Sequence, residues 1–401
     1  MSENLDISRS PANSIFPLDN AVDRERTVAG MPKIRMPVDR LYVVAQNGCV
    51  AVLDLFADGS LEPLAGSPYR TSAGSFCVAA SPERRVVYVA TGVGLGTPFS
   101  LGQTLAPELF SFHVRDDGTL ERAGAPLALP RLSMPVSMAV STDSRNLYLG
   151  VGRGPAGFFR GSIAHFRLDE HGIPTASGAV VRLGRFLDGV AQPIVSPDGK
   201  RLYVASVIAK AIVRLDIQAD GALSQAVARS PSTGVFPITP AFAPDGRFLY
   251  VANELSQSIT GFRVARDGSL DELPRSPYPT GKIPHNPVFS RDGRFVYFAN
   301  TLSHTVTGYE VQACGDLVPV PGSPFEMPVE PATVARSTDG TWLYLVSSPI
   351  LQAGSVVVVT SHRIQPDGSL TPSGHQPIPT GLKFADGPSA IVFPVRRNPT
   401  A

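Results

Sequence analysis

Few places in this 401-residue chain, 43% hydrophobic and 17% charged, set ionisable side chains against an apolar background. One does. Glu254, in Asn253-Glu254-Leu255, closes one apolar run, and His285, in Pro284-His285-Asn286, heads another. Histidine titrates nearest neutrality and can take or give a proton. A carboxylate beside apolar surface has its pKa raised by desolvation, which poises it for the same work. The expected chemistry is acid–base proton transfer, with Glu254 and His285 as catalytic candidates. Asn253, Asn300 and Thr301 are candidates for holding a substrate, and Arg153 and Arg160 for bringing positive charge over it. Each has a plainer alternative: a rim histidine held by hydrogen bonds, a strand-end carboxylate on a backbone amide, a pair of solvated loop arginines.

Other chemistries find less support. Gly152-Arg153-Gly154-Pro155-Ala156-Gly157 matches GxGxxG, but another strand-like run, FFRGSIAHFRL, follows it. A dinucleotide fingerprint needs a helix whose N-terminus meets the pyrophosphate. HExxH and GxSxG are absent, and His113, His165, His171, His304, His362 and His375 show no metal-ligand spacing. No cofactor or metal is expected. Formal net charge of +1 argues against nucleic acid or anionic membrane as partner, leaving a small molecule, with the oligomeric state open. Cys49, Cys77 and Cys314 are an odd, unpatterned set, and no basic-then-apolar leader opens the chain. Free thiols in the cytoplasm are the expectation.

The elements that must position these residues announce themselves as a repeat. FPITPAFAPDGRFLYVANELSQSITGFRVARDGSLDELPRSPYPTGK and the IPHNPVFSRDGRFVYFAN segment after it align without a gap at a period of 47. Each copy holds four short runs rich in Val, Ile, Phe, Tyr and Thr, divided by Asp-Gly turns whose glycine takes positive φ without steric cost. Four antiparallel strands at such a period describe a propeller blade. The second-strand tyrosine recurs at Tyr42, Tyr88, Tyr148, Tyr203, Tyr250, Tyr297 and Tyr344, which makes seven blades. No first strand precedes Tyr42, and no second strand follows residues 389–393. The expected fold is an all-β, seven-bladed propeller of four-stranded antiparallel blades over 38–396, the C-terminal strand closing the first blade. Residues 1–37 read as an extended or mobile tail, and 397–401 as a short C-terminal one.

In such blades the turns after strands one and three share a face, and here they are uniform and tight. The opposite face takes nearly all the length variation, after Tyr88, Tyr148 and Tyr344. Loops on a rigid scaffold usually carry function, so the site is expected on the long-loop face, at the channel mouth. The first-strand ring there is Phe76, Val136, Ala191, Ile238, His285, Ala332 and Ser389, in which only His285 titrates.

SPDGKRLYVAS, APDGRFLYVANELSQSITGFRVARDGSL and the terminal GPSAIVFPV resemble the seven-bladed lactonase propellers. That family includes propeller-type 6-phosphogluconolactonase and carboxymuconate-cyclase-like enzymes, so the resemblance implies a hydrolase or an isomerase. It implies four site positions, a histidine, two arginines and a carboxylate. Here they align with Ala191, Ile238, Thr301 and Glu254, so Glu254 alone is kept. Without the arginines, the planar donors suited to carboxylate and phosphate are gone. The implied activity is acid–base lactone hydrolysis, lactonisation or isomerisation of a small, partly apolar cyclic or cyclisable metabolite. The alternative is a non-catalytic ligand-binding or scaffolding propeller.

Overall fold

Valine, tyrosine, leucine and alanine without interruption make a strand buried on both faces, and each blade's second strand is one. Val86–Thr91, Phe248–Asn253, Phe295–Asn300 and Trp342–Ser347 are buried at every position. The computed structural model describes residues 35–45, 48–72, 74–92, 107–130, 134–153, 159–184, 189–347, 349, 352, 354–383 and 389–395. The chain divides into Met1–Met36 and Pro37–Ala401, the second of which holds the propeller. The expected tails lie, apart from residues 35–37, outside the described residues.

Seven antiparallel sheets follow one another along the described residues, each built on four strands, which run in sequential order from the channel outward in all but the first. In five of them a short additional strand also pairs with the third, as Tyr278–Pro279 does with Ser258–Val264. No α-helix occurs among the described residues. Closure follows the phase slip seen in the sequence. Ser389–Pro394 lies against Asp39–Ala45, with Val44 opposite Ser389, Tyr42 opposite Ile391 and Asp39 opposite Pro394. This leaves no open inner edge in the first blade.

The core sits between blades. One cluster joins Phe248, Tyr250 and Ala252 of the fifth blade to Phe289, Val296 and Phe298 of the sixth. Another joins Leu41, Val43 and Leu53 of the first to Trp342, Tyr344 and Val346 of the seventh. Six fully buried tyrosines then lock each blade to the next. Their hydroxyls donate to the carbonyl of the following blade's outer-turn glycine: Tyr42 to Gly118, Tyr88 to Gly172, Tyr148 to Gly221, Tyr203 to Gly268, Tyr250 to Gly315 and Tyr297 to Gly368, at 2.6–3.2 Å. Gly315 needs its φ of 97° and its missing side chain, since an added Cβ would come within 2.3 Å of Phe248.

The seventh junction is built differently. The Gly59 carbonyl accepts from Ser361 Oγ at 2.6 Å, and the Tyr344 hydroxyl has no partner among the described residues. Trp342 Nε1 donates to the Ala57 carbonyl at 3.0 Å, and Thr338 donates through N and Oγ1 to the two oxygens of Asp39 at 2.8 and 2.6 Å.

Tyr250→Phe strands the buried Gly315 carbonyl and should cost about 1–3 kcal/mol. Tyr344→Phe removes no bond and should cost less than about 0.5 kcal/mol. Thermal denaturation of both variants checks the ordering, and an equal loss in the two refutes it. Truncation after Asp386 removes the inner strand of the first blade and should abolish cooperative unfolding of the whole ring, read by calorimetry.

Candidate functional site at the long-loop face

Two inner strands enter the channel through residues bent the wrong way for their chemistry. Phe236 has φ 65° and Ile283 has φ 55°, each immediately before the proline that starts the strand. A residue before proline favours extended backbone, and a β-branched one at positive φ costs roughly 1–3 kcal/mol. At the corresponding place in the second blade stands Gly74, φ 86°. The bend turns the carbonyls outward to receive the end of the second strand: Glu254 N donates to Phe236 O at 3.0 Å, and Thr301 N to Ile283 O at 3.1 Å. Glu254 is thereby fixed by its own backbone.

The sixth blade's inner strand also loses register between His285 and Val288. In that bulge Asn286 adopts φ 39°; its N–H donates to Thr239 Oγ1 in the fifth blade, and its Nδ2 to the Ala332 carbonyl and Thr333 Oγ1 in the seventh. Asn286 therefore pins three blades around the residue beside it. Bulges re-aim side chains next to sites, and here the side chain re-aimed is His285. Its Nε2 lies 3.2 Å from Glu254 Oε1, with the His285 side chain 22% exposed and that of Glu254 16%. The two groups singled out in the sequence are thus in contact.

Two effects oppose each other at this imidazole. Burial pushes its pKa down, to about 4. The carboxylate pulls the other way, but Nε2 makes no hydrogen bond among the described residues, so the contact lacks the alignment that would let attraction win. Desolvation prevails, and His285 is neutral at neutral pH.

The other candidates are placed differently. Asn253 is wholly buried, with Nδ2 given to Ser258 O and Oγ and to Thr260 Oγ1. Asn300 is likewise buried, giving Nδ2 to Thr305 and Thr307 and accepting from Thr280 Oγ1 at 2.7 Å. Thr301 is buried and donates to the Pro331 carbonyl. These three brace the turn behind the mouth with their side-chain donors, while Asn253 Oδ1 has no hydrogen-bond partner among the described residues. Amide-bearing residues at strand ends are good at both tasks, and only the depth of burial separates the two. Arg160 is exposed, with φ 49°, at the start of a third-blade strand, two blades from Glu254 in ring order. Arg153 lies in the strand Asn146–Arg153, and its side chain falls outside the described residues. Sequence reasoning missed Asn286, and also the neighbouring pair of His304 Nε2 and Glu330 Oε1, 3.7 Å apart, one blade further on the same face. The positions of Glu330 and Ile283, one repeat apart in FEMPVEP and TGKIP, carried the signal.

Two cavities, of about 200 and 480 Å³, open on the opposite, Asp-Gly face, against the expectation that the pocket lies with the long loops. Residues 93–106, 154–158 and 384–388 fall outside the described residues.

His362, buried with neither ring nitrogen bonded among the described residues, is also pushed down to about 4. Between an ordinary histidine value near 6.5 and about 4, the unfolded chain binds protons at His285 and His362 that the folded one refuses. Stability should therefore be complete above about pH 6.5 and fall as pH drops through that window. His362→Phe should flatten the fall, read as Tm against pH. An unchanged slope in His362→Phe would show that this histidine titrates normally.

No curated protein matches the chain in sequence. A family model described as "Lactonase, 7-bladed beta-propeller" matches residues 186–278 and 241–335. Among solved structures, a periplasmic gluconolactonase of Pseudomonas aeruginosa, PpgL, superposes with TM-score 0.72 at 20% identity, covering 90% of this chain and all of that one. A candidate 6-phosphogluconolactonase from Bacteroides uniformis gives TM-score 0.70 at 16% identity, over 87% of this chain and 99% of its own. A further candidate from Bacteroides fragilis gives 0.66 at 19%, over 90% and 99%. At these identities the structures speak to fold.

Proposed function

We propose that the chain, whose residues 186–335 match the seven-bladed β-propeller lactonase model, hydrolyses a small, partly apolar lactone at its long-loop mouth by acid–base catalysis at Glu254 and His285. The observation that carries the reading is the 3.2 Å contact between them, held by two strained strand entries and a bulge. Strain of this kind collects at functional sites. A hydrogen on Nε2, facing Glu254, leaves the Nδ1 lone pair to accept a proton; the tautomer is assigned from that contact. Water loses its proton to Nδ1 as its oxygen bonds to the lactone carbonyl carbon. Glu254, 3.2 Å away, stabilises the imidazolium so formed through its charge. When the ring C–O bond breaks, the proton passes from Nδ1 to the departing alkoxide, and a hydroxy acid leaves. Lactonisation runs the same steps backwards, and isomerisation would use the same proton acceptor at carbon.

Ile238 and Thr301 offer no guanidinium where the resemblance implies arginines for a carboxylate or phosphate, which favours an uncharged substrate. The second reading, a binding propeller, draws on Asn253, Asn300 and Thr301, whose side-chain donors are spent in the scaffold.

Turnover of a lactone panel separates the two. Glu254→Gln and His285→Ala should each lower kcat/KM by about 10²–10⁴-fold, with Tm within a few degrees of wild type. Turnover indifferent to both changes, or none at all, would sink the enzyme and leave the binding module. The acid limb of kcat/KM should fall below the ordinary histidine range, towards about 4, since the free-enzyme imidazole is depressed. An acid limb at 6.5 or above would exclude His285 as the base.

A further inference from the structure

At the Asp-Gly end the channel widens into the 480 Å³ cavity, walled by Phe242, Val288, Val334, Ile391 and Val392. The repeat shows what is unusual there. The inner-strand residue opposite the one preceding each core tyrosine is apolar in six blades: Val392, Ala80, Val140, Val195, Phe242 and Phe289. In the seventh it is Arg336. Two residues further, Pro394, Pro82, Thr142, Pro197, Pro244 and Thr338 stand where the sixth blade has Arg291. Both arginines line the cavity, and they come from adjacent blades.

Their states differ. Arg336 is half-buried; its Nε donates to the Phe289 carbonyl at 2.9 Å and its Nη1 to the Ser337 carbonyl at 2.8 Å, so its fork is held in place. Arg291 is exposed and makes neither hydrogen bond nor salt bridge among the described residues. Each guanidinium feels the other, and with burial Arg291 lowers the pKa of Arg336. The carboxylates within electrostatic reach each accept hydrogen bonds from other groups, Asp292 from Ser290 Oγ and Arg294 N, Asp339 from Ser337 Oγ and Thr341, and Asp39 from Thr338, and Asp339 also feels the charge of Arg291. Two like charges side by side over an apolar shaft favour an anion between them, and one that also covers the shaft wall.

We propose that this end of the channel is a second ligand site, taking an organic carboxylate whose apolar body lies along the Phe242–Val334–Ile391 wall and whose oxygens bridge Arg291 and Arg336. The site stands whether or not the opposite mouth is catalytic. Arg336, pre-oriented by two carbonyls, sets the position of the carboxylate. Arg291 swings in from solvent.

The test is calorimetric titration of the whole chain with 4-phenylbutyrate, its neutral isostere 4-phenylbutanol, and inorganic phosphate. Phenylbutyrate should bind at least tenfold more tightly than the alcohol, and more tightly than phosphate. Arg291→Gln, a surface change away from the core, should weaken phenylbutyrate at least fivefold. Arg336→Met should abolish its binding, and Glu254→Gln should leave it unchanged. Acid and alcohol binding alike, or Arg291→Gln without effect, would overturn the bridging arginines. Phosphate binding as tightly as phenylbutyrate would overturn the apolar part. Loss of binding in Glu254→Gln would move the ligand to the opposite face and overturn the second site itself.

Discussion

One hydrogen bond, repeated, makes this ring a single body: a buried tyrosine hydroxyl donating to a glycine carbonyl in the next blade. It answers two demands at once. A phenol carried into an apolar junction must find a partner for its hydroxyl, and a tight outer turn must find a donor for its buried carbonyl. Desolvation holds these tyrosines neutral, pushing Tyr203 up to about 12 and the others upward as well. The phenol thus remains a donor across the whole working pH range. Because the glycine must approach Phe248, Phe295 or Arg201 closely, the same residue serves turn and junction together. The site inherits its geometry from this frame, since Glu254 and His285 come from different blades and meet only if the junction between fifth and sixth is fixed.

Where the frame departs from its own repeat, chemistry gathers. Phe236 and Ile283 hold a conformation that Gly74 adopts freely, and both stand beside the carboxylate–imidazole contact. The inner strands of the second, third, fifth and seventh blades also shift register, but in the sixth Asn286 takes positive φ in the bulge and ties three blades at one point. At the far end of the channel, Arg336 replaces an apolar residue. The closing junction exchanges its tyrosine bond for Ser361, Trp342 and Asp39. Repeat arrays are summed from near-identical interfaces, so each departure stands out as a place where something other than stability was kept.

The fold was legible because its signals are local and sevenfold: Asp-Gly turns, tyrosines at a recurring interval, and a phase slip at the ends that implied closure by residues 389–394. The contact between Glu254 and His285 was legible for the same reason, since aligned blades put equivalent positions around one ring. The roles of Asn253 and Asn300 were not, because an amide at a strand end looks alike whether it faces a channel or folds back on Thr260 and Thr307. Backbone strain left no mark either; nothing in Ile283-Pro284 tells that the isoleucine sits at positive φ. Arg336 and Arg291 could have been found by carrying the ring comparison to the other end of the inner strands.

Closure by the last strand also sets the order of events at the ribosome. Asp39–Ala45 emerges early, yet its inner partner, Ser389–Pro394, lies more than 300 residues later. At ordinary elongation rates that is roughly 20–70 s during which a strand buried along its whole length has an unpaired edge. Blades two to seven can each assemble from contiguous sequence as they appear, and the first cannot. The nascent chain therefore carries one sticky flank throughout synthesis, and a chaperone that shields Leu41–Val44 until release would act on the step that decides yield.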